Sequence, residues 1–228
     1  MKQLIMNGIR IELERKRIKN MYLRILPPEG SVHISAPMKM SEAEIQHFII
    51  SRLDWILAQQ AKVRNRHTHE VLDYITGDIL YIWGNKYQLM LREASGRSKV
   101  GVAGDEIILY CKAGSTREQR EKLIHQMYAE LLHQEIPFLL ARWEQTIGVK
   151  ANSYHLRNMK TRWGTCNIRT GDICLNLQLA KKAPICLEYV VVHELVHLLE
   201  QSHNQVFKAY MDRFLPQWRS IRKQLNGA

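Results

Sequence analysis

A strongly apolar segment near the C-terminus, residues 190–199, contains polar side chains whose spacing restricts how the chain can fold there. The segment reads Val-Val-Val-His-Glu-Leu-Val-His-Leu-Leu, which is typical of a buried helix. Residues four apart on an α-helix share a face, so His193 and His197 project together, with Glu194 beside them. Burying two imidazoles and a carboxyl group is costly unless something compensates, and a bound cation is one such compensation.

The spacing His-Glu-x-x-His is typical of catalytic zinc sites, in which both histidines bind the metal and the glutamate acts on a water molecule. We therefore expect one catalytic Zn²⁺ at His193 and His197, with Glu194 as the general base of a hydrolase. Imidazole ligands also suit other divalent metals, so these residues leave the identity of the metal open.

His203 is the candidate third ligand, ten residues after His193. Ten residues turn a helix by about 1000° and advance it about 15 Å, so one unbroken helix cannot bring both imidazoles to one metal. We expect the helix to end near Gln201 and the chain to turn back. Ser202 matches the first position of a capping box, which predicts a new helix with His203 at its start.

Two carboxylates, Glu200 and Asp212, are alternative third ligands. Glu200 also stands where the similar pattern His-Glu-x-x-His-x-x-Gly-x-x-His has its glycine, which weakens a direct assignment to that group. With three neutral histidines as ligands, the metal would keep a fourth position open for water.

The rest of the chain predicts an α+β fold with a β-rich N-terminal part. Asn7-Gly8 between two apolar runs predicts a hairpin, and Pro27-Pro28-Glu29-Gly30 predicts a second turn. Ser41 and Glu44 form a capping-box pattern that opens a helix to about Arg64. Four strands follow at 79–83, 87–92, 99–102 and 106–111.

A second capping-box pattern at Ser115 and Glu118 opens a long helical stretch to about Thr146, closed by Gly148. Pro137 should kink or split that stretch. Further elements are predicted as strands at 153–160, 163–167 and 172–179, a helix from Pro184, and a last helix at 204–215 before a short helical tail.

This order suggests a β-rich part with one helix at 1–112 and a helical and catalytic part at 113–228, or one continuous domain over 1–228. We find no internal sequence repeat. The chain has a net charge of +11, which favours an anionic partner such as a nucleotide or nucleic acid. It has no apolar run long enough for a membrane span and no signal-peptide pattern, so we expect a cytoplasmic protein without a membrane partner.

Several ordered motifs accompany the His-Glu-x-x-His pattern: Met159–Cys166, Leu175-Asn176, Leu179, Tyr189–Val191 and His193–Leu198. Together they resemble the YgjP-like metallopeptidases, a family of the zincin group related to the SprT-like and WLM proteases. The resemblance covers about residues 150–205, and Thr165 stands where the family usually has serine. It implies a zincin-like catalytic region with the three histidines as ligands and Glu194 as base, acting on a peptide or protein.

In zincins a strand at the border of the cleft pairs with the substrate backbone, and the resemblance makes the strand Asp172–Leu179 the candidate for this role. Arg157, Lys160 and Arg162 are predicted on the preceding hairpin, where they would face a substrate carboxylate, an oxyanion or a phosphate. Exposed strand charges are an equally good interpretation of these three residues. Asn176 would hydrogen-bond to a ligand and orient it, or would have a structural role in a turn or at the edge of the sheet.

Two other functions remain open from the sequence. A metal-dependent nucleotide phosphohydrolase of the nucleoside triphosphate pyrophosphatase type would suit the positive charge, but the chain has no glycine-rich phosphate loop. A nucleic-acid-associated protease or binding protein of the SprT or WLM type would also suit the charge, but the chain lacks a zinc ribbon and a long basic tail.

Overall fold

A computed structural model describes residues 2–26, 30–67 and 72–227. The fold is mixed α+β, as predicted. It divides into two compact units, Met1–Leu72 and Asp73–Ala228. The division predicted after residue 112 differs from this grouping, because strands within 79–111 pack against the helix and the 3₁₀ helix that follow them. The turn predicted at Pro27-Pro28-Glu29 lies outside the described residues.

The first unit contains a four-stranded sheet in the order β1-β2-β4-β3. The outer pairs are antiparallel and the central pair, β2 with β4, is parallel. Asn7 and Gly8 both have positive φ, which is the geometry that a two-residue hairpin requires and which confirms the predicted turn. The four strands are β1 Lys2–Met6, β2 Ile9–Lys16, β3 Tyr22–Leu26 and β4 Ser31–Pro37.

Two helices, α1 (Glu42–Ser51) and α2 (Leu53–His67), replace the single helix predicted to run to Arg64. Ser41 and Glu44 do form the predicted capping box. The backbone leaves the helical region at Arg52, with φ −116° and ψ 9°, and its N–H donates to the carbonyl of Ile49. The sequence pattern predicted one continuous helix because the apolar residues of both helices fit a single helical repeat, but the chain breaks at Arg52.

The second unit begins with a sheet of the same topology, in the order β5-β6-β8-β7, again with a parallel central pair. Its first hairpin also turns through two residues of positive φ, Trp83 and Gly84. The backbone N–H groups of that turn donate to the carbonyls of Ala180 and Lys181. The topology therefore repeats although the sequence does not. The strands are β5 Ile79–Ile82, β6 Asn85–Glu93, β7 Lys99–Ala103 and β8 Glu106–Cys111.

A long helix, α3 (Arg117–Ile147), follows this sheet and ends at Gly148, whose φ of 79° gives the left-handed conformation expected there. Its capping box is formed by Thr116 and Gln119, so the box predicted at Ser115 and Glu118 was wrong by one residue. The Ser115 hydroxyl instead donates to the thiol of Cys111. Pro137 lies inside the helix without splitting it.

The chain then forms a three-stranded sheet in the order β10-β11-β9 and three further helices. Strand β9 runs parallel to β11, so β9 and β10 do not form the predicted hairpin. Strand β11 ends at Asn176 and continues as a 3₁₀ helix, not as the strand predicted to Leu179. The elements are β9 Ser153–Arg157, β10 Gly164–Asn167, β11 Asp172–Asn176, the 3₁₀ helix Leu177–Lys181, α4 Pro184–Val196, α5 Gln205–Phe214 and α6 Trp218–Leu225.

Within the described ranges, no helix combines the length and the apolar character that crossing a membrane requires. All four cysteines carry free thiols.

Candidate metal centre

Helix α4 holds the central part of the site in the interior of the second unit. It begins at Pro184, which suits the first turn because that position needs no N–H donor. The helix packs against α3, α5, α6 and β10, which explains why its sequence is apolar almost all round. Glu194 is only 4% exposed, while His193 and His197 are half-buried.

The helix ends earlier than predicted, at Val196 and not near Gln201. The last turn tightens, since the N–H of Leu198 donates to the carbonyl of Leu195 at 3.0 Å. His197 occupies the C-cap position. Because α4 ends at Val196, the residues between Val196 and α5 are free to turn back towards His193 and His197.

Helix α5 brings the third histidine back to the first two. Its N-cap is Asn204, whose side chain accepts from the N–H of Phe207 at 3.0 Å, so the cap predicted at Ser202 was wrong by two residues. His203 therefore lies in the turn immediately before the helix, and its side chain is exposed.

The side chains of His193, His197 and His203 each offer a nitrogen within 4.8 Å of the other two. The Nε2 atoms of His193 and His203 are 2.9 Å apart. Two nitrogens bound to one tetrahedral zinc at 2.0–2.1 Å would be about 3.3 Å apart, so the spacing suits a shared metal.

The two carboxylates considered as alternative ligands are engaged elsewhere. Glu200 accepts a hydrogen bond from the N–H of Ser202 at 2.9 Å. Asp212 accepts from the indole of Trp218 at 2.8 Å and forms an ion pair with Arg219. Within the described ranges, the group of side chains suited to a metal contains the three histidines alone.

Packing and hydrogen bonding orient the imidazoles. The ring of Phe207, 1% exposed, has its centroid 4.7–4.9 Å from each of the three imidazole centroids. The Nδ1 of His197 lies 3.2 Å from the carbonyl oxygen of Glu200, which leaves its Nε2 free to face the other rings.

Burial favours the neutral forms of His193 and His197, which is the state that binds a metal. It lowers the pKa of His193 to about 3, with smaller contributions from His197 and His203. Burial also lowers the pKa of His197. The Nδ1 of His193 is buried and has no hydrogen-bond partner among the described residues. The other ring nitrogen of His193, Nε2, lies 2.9 Å from Nε2 of His203 and is the nitrogen placed to bind a cation. The residues therefore fit a metal ion.

Glu194 lies beside the histidines against the start of β10. Burial raises the pKa of its carboxyl to about 8, and the charge of Arg162 acts in the opposite direction. A Cβ atom built on Gly164 would lie 2.9 Å from Cγ and Cδ of Glu194, and closer still to Oε1. Only glycine leaves room for the carboxyl at this position.

The predicted substrate-binding residues are distributed over two parts of the sheet. Lys160 and Arg162 are exposed in the loop before β10, and Arg162 acts electrostatically on Glu194. Arg157 is exposed on β9, which β11 separates from β10. Asn176, at the end of β11, is 3% exposed and hydrogen-bonded to the backbone of the loop.

Three residues of the site escaped the sequence analysis. Phe207 resembles any core aromatic residue of an amphipathic helix. Gly164 resembles an ordinary strand glycine, and Asn204 is a common N-cap whose place depends on where α4 ends. Phe207 packs against His193, 14 residues earlier in the sequence, and Gly164 packs against Glu194, 30 residues later, so no local pattern could have identified these two residues.

Comparisons with known proteins identify the family of the chain. A family model described as "YgjP-like, metallopeptidase domain" matches residues 19–228. A search of curated proteins finds no match. Among solved structures, the metallopeptidase zymogen of Pyrococcus abyssi abylysin is similar at 19% identity and a TM-score of 0.37, over 40% of this chain and 90% of that one. The metallopeptidase zymogen of Methanocaldococcus jannaschii jannalysin is similar at 16% identity and a TM-score of 0.36, over 40% and 93%.

Proposed function

This chain belongs to the YgjP-like metallopeptidase family, and on that premise we propose that it is a zinc-dependent peptidase with His193, His197 and His203 as metal ligands. The observation that carries the proposal is the convergence of three imidazoles next to one buried glutamate. Three neutral nitrogen ligands leave a fourth position for water or substrate, which is the composition of catalytic zinc sites.

Zinc in this site would lower the pKa of a bound water and polarise the carbonyl of the scissile peptide bond. Glu194 is the general base: its carboxylate takes a proton from the attacking water and delivers it to the leaving amine. The close fit against Gly164 holds the carboxyl in one place. The positive charges of zinc and Arg162 favour its ionised form, which is the form that accepts a proton.

The free edge of β10 is the proposed binding strand for the substrate backbone. Strand β11, the strand expected to do this from the sequence, is central and pairs with β9 and β10 on its two sides. Within the described sheet, β10 pairs with β11 alone, and its first residue, Gly164, contacts Glu194. An extended peptide added to this edge would place its backbone beside the general base.

The test compares the wild type with Glu194→Gln on a denatured protein substrate and on a peptide library. Glutamine preserves the shape of the side chain but cannot accept the proton, so cleavage should fall by at least about 100-fold. Zinc content, measured on the same samples, should not change. Undiminished cleavage by the variant would refute the role of Glu194, and a wild type that cleaves no peptide in the presence of zinc would refute the proposed activity.

The expected cytoplasmic location and a nucleotide or nucleic-acid partner stay predictions.

A further inference from the structure

Residues 158–163, called here the basic loop, lead into β10. The buried side-chain amide of Asn176 forms hydrogen bonds with the backbone of this loop. The Nδ2 of Asn176 donates to the carbonyls of Met159 and Arg162, at 2.8 and 2.6 Å. Its Oδ1 accepts from the N–H groups of Met159 and Gln178, at 3.3 and 3.1 Å. All the hydrogen-bonding capacity of this side chain is therefore used on the backbone, and the loop has one defined shape before any substrate binds.

Trp163, the last residue of the basic loop, makes a second set of contacts with other parts of the protein. The indole N–H of Trp163 donates to Oδ1 of Asn226 at 3.2 Å, and the ammonium group of Lys182 lies 5.7 Å from the centre of the Trp163 ring. The contacts of Asn176 and those of Trp163 involve different secondary-structure elements. A movement of the whole loop would therefore break both sets of contacts.

This rigid loop presents its cations to solvent on the side of Glu194. Lys160, Thr161 and Arg162 are all exposed. Among the described residues, neither Lys160 nor Arg162 forms an ion pair or a side-chain hydrogen bond, and the charge of Arg162 acts on Glu194. The other described cation that acts electrostatically on the histidines is Arg222, which affects His193. The basic-loop side of the site is therefore positively charged and has unused donors, whereas Glu200 acts as a negative charge on His197.

We propose that the basic loop is a preformed recognition site for a carboxylate side chain of an acidic peptide substrate, with Arg162 and Lys160 as specificity-determining residues and Asn176 as the positioning residue. The inference rests on the proposed function. A guanidinium group binds a carboxylate through two parallel hydrogen bonds, and a loop that is already ordered loses little conformational entropy when it does so. The position of the loop immediately before β10 places the recognised side chain next to the scissile bond.

The test measures binding and does not depend on turnover. Zinc-loaded protein carrying Glu194→Gln is titrated into two fluorescent peptides that are identical except that glutamate in one is glutamine in the other. The glutamate peptide should bind about ten-fold more tightly, as expected for a charge-assisted contact. Adding Arg162→Gln or Lys160→Gln should remove most of this preference, with a much smaller loss of affinity for the glutamine peptide than for the glutamate peptide.

Arg169→Gln is the matched control, since Arg169 is exposed in the turn at the opposite end of β10 and its loss changes the net charge equally. It should leave the preference unchanged. Equal affinities for the two peptides, or a preference that survives Arg162→Gln, would overturn the proposal. So would tighter binding of a single-stranded oligonucleotide of the same net charge, if Arg162→Gln abolishes it, because the loop would then serve nucleic acid.

The positioning role of Asn176 has its own variant. Asn176→Asp keeps the size of the side chain and loses the two donors, so it should reduce the preference for the glutamate peptide as much as Arg162→Gln does. Unchanged preference in a folded Asn176→Asp protein would refute this role, and the Arg162 variant tests the loop if Asn176→Asp does not fold. A protein that shows the binding preference but cleaves no peptide would contradict the proposed function and not the recognition site.

Discussion

The backbone of Gly164 lies so close to the side chain of Glu194 that a Cβ atom built on the glycine would be 2.9 Å from both Cγ and Cδ of the glutamate. The first residue of β10 and the buried carboxyl of α4 are thus fitted to each other, and 30 positions of sequence separate them. This contact joins the strand proposed to bind substrate to the residue proposed to act on water.

Gly164→Ala should therefore displace the carboxyl of Glu194 and lower kcat by about 100-fold, the typical effect of misplacing a catalytic group by about 1 Å. The three atoms nearest to a Cβ at Gly164 all belong to Glu194, so the zinc content should stay at the wild-type level. Gly101→Ala is the control, because Gly101 also lies in a strand and a Cβ there meets no atom within 4 Å. Equal kcat values for the two variants would contradict the fitted contact.

His203→Ala should lower the affinity for zinc by more than about 100-fold, beyond the 10–100-fold typical of losing a contact that only supports a ligand. His203 is exposed, so the stability of the metal-free protein should change by less than about 0.5 kcal/mol. The rise in Tm on adding zinc should shrink accordingly. The exposed His47 offers a control substitution, His47→Ala, and a His203→Ala protein that binds zinc as tightly as this control would exclude His203 as a ligand.

Phe207→Leu should weaken zinc binding by about ten-fold, because the ring that contacts all three imidazoles keeps them in one arrangement. Met211→Leu changes another fully buried residue one turn further along α5 and should leave zinc affinity unchanged. A competition titration with a chelating dye measures both. If the two variants lose stability and zinc affinity to the same extent, Phe207 acts only through general packing.

The metal-free protein should lose stability as pH rises, because of Glu194. Burial raises the pKa of this carboxyl from 4.5 to about 8, so the folded state holds the proton more tightly than the unfolded chain does. The stabilisation that comes from this tighter proton binding is fully present below pH 4.5, the ordinary pKa. It is lost as pH rises through the pKa of about 8 in the folded state. Between about pH 6.5 and 9, the free energy of unfolding should therefore decrease by about 2 kcal/mol.

Glu194→Gln should abolish this loss, since glutamine does not ionise, whereas Glu135→Gln on the exposed face of α3 should not. Denaturant unfolding at several pH values in a chelating buffer measures the difference. His193 does not interfere in this range, because its pKa of about 3 lies below the ordinary value of 6.5 and its contribution is lost only as pH falls between these two values. Parallel curves for the wild type and Glu194→Gln would contradict the raised pKa.

The local features of this fold were predictable because each depends on neighbouring residues. The Asn7-Gly8 turn, the Ser41 capping box and the Gly148 helix end satisfy backbone groups within a few positions of themselves. The placement of His193 and His197 on one face follows from the helical repeat alone. These are short-range rules, and the chain follows them.

Errors arose where two local solutions have similar free energies. Ser115 and Thr116 are both good N-cap residues, but the Ser115 hydroxyl donates a hydrogen bond to the thiol of Cys111, and Thr116 caps the helix. Ser202 and Asn204 present the same choice, and the early end of α4 at Val196 decides it. The break at Arg52 likewise lies in a segment whose pattern allows a continuous helix.

By itself, then, the sequence determined the helix that holds His193, Glu194 and His197, and the need for a chain reversal before His203. Only the tertiary structure decided which strand has the free edge, that Asn176 holds the basic loop, and that Gly164 and Phe207 complete the site. The physical reason is the range of the interactions. Helix periodicity and capping act within a few residues, whereas strand pairing and close packing join segments that are distant in sequence and are selected by which arrangement buries the most apolar surface.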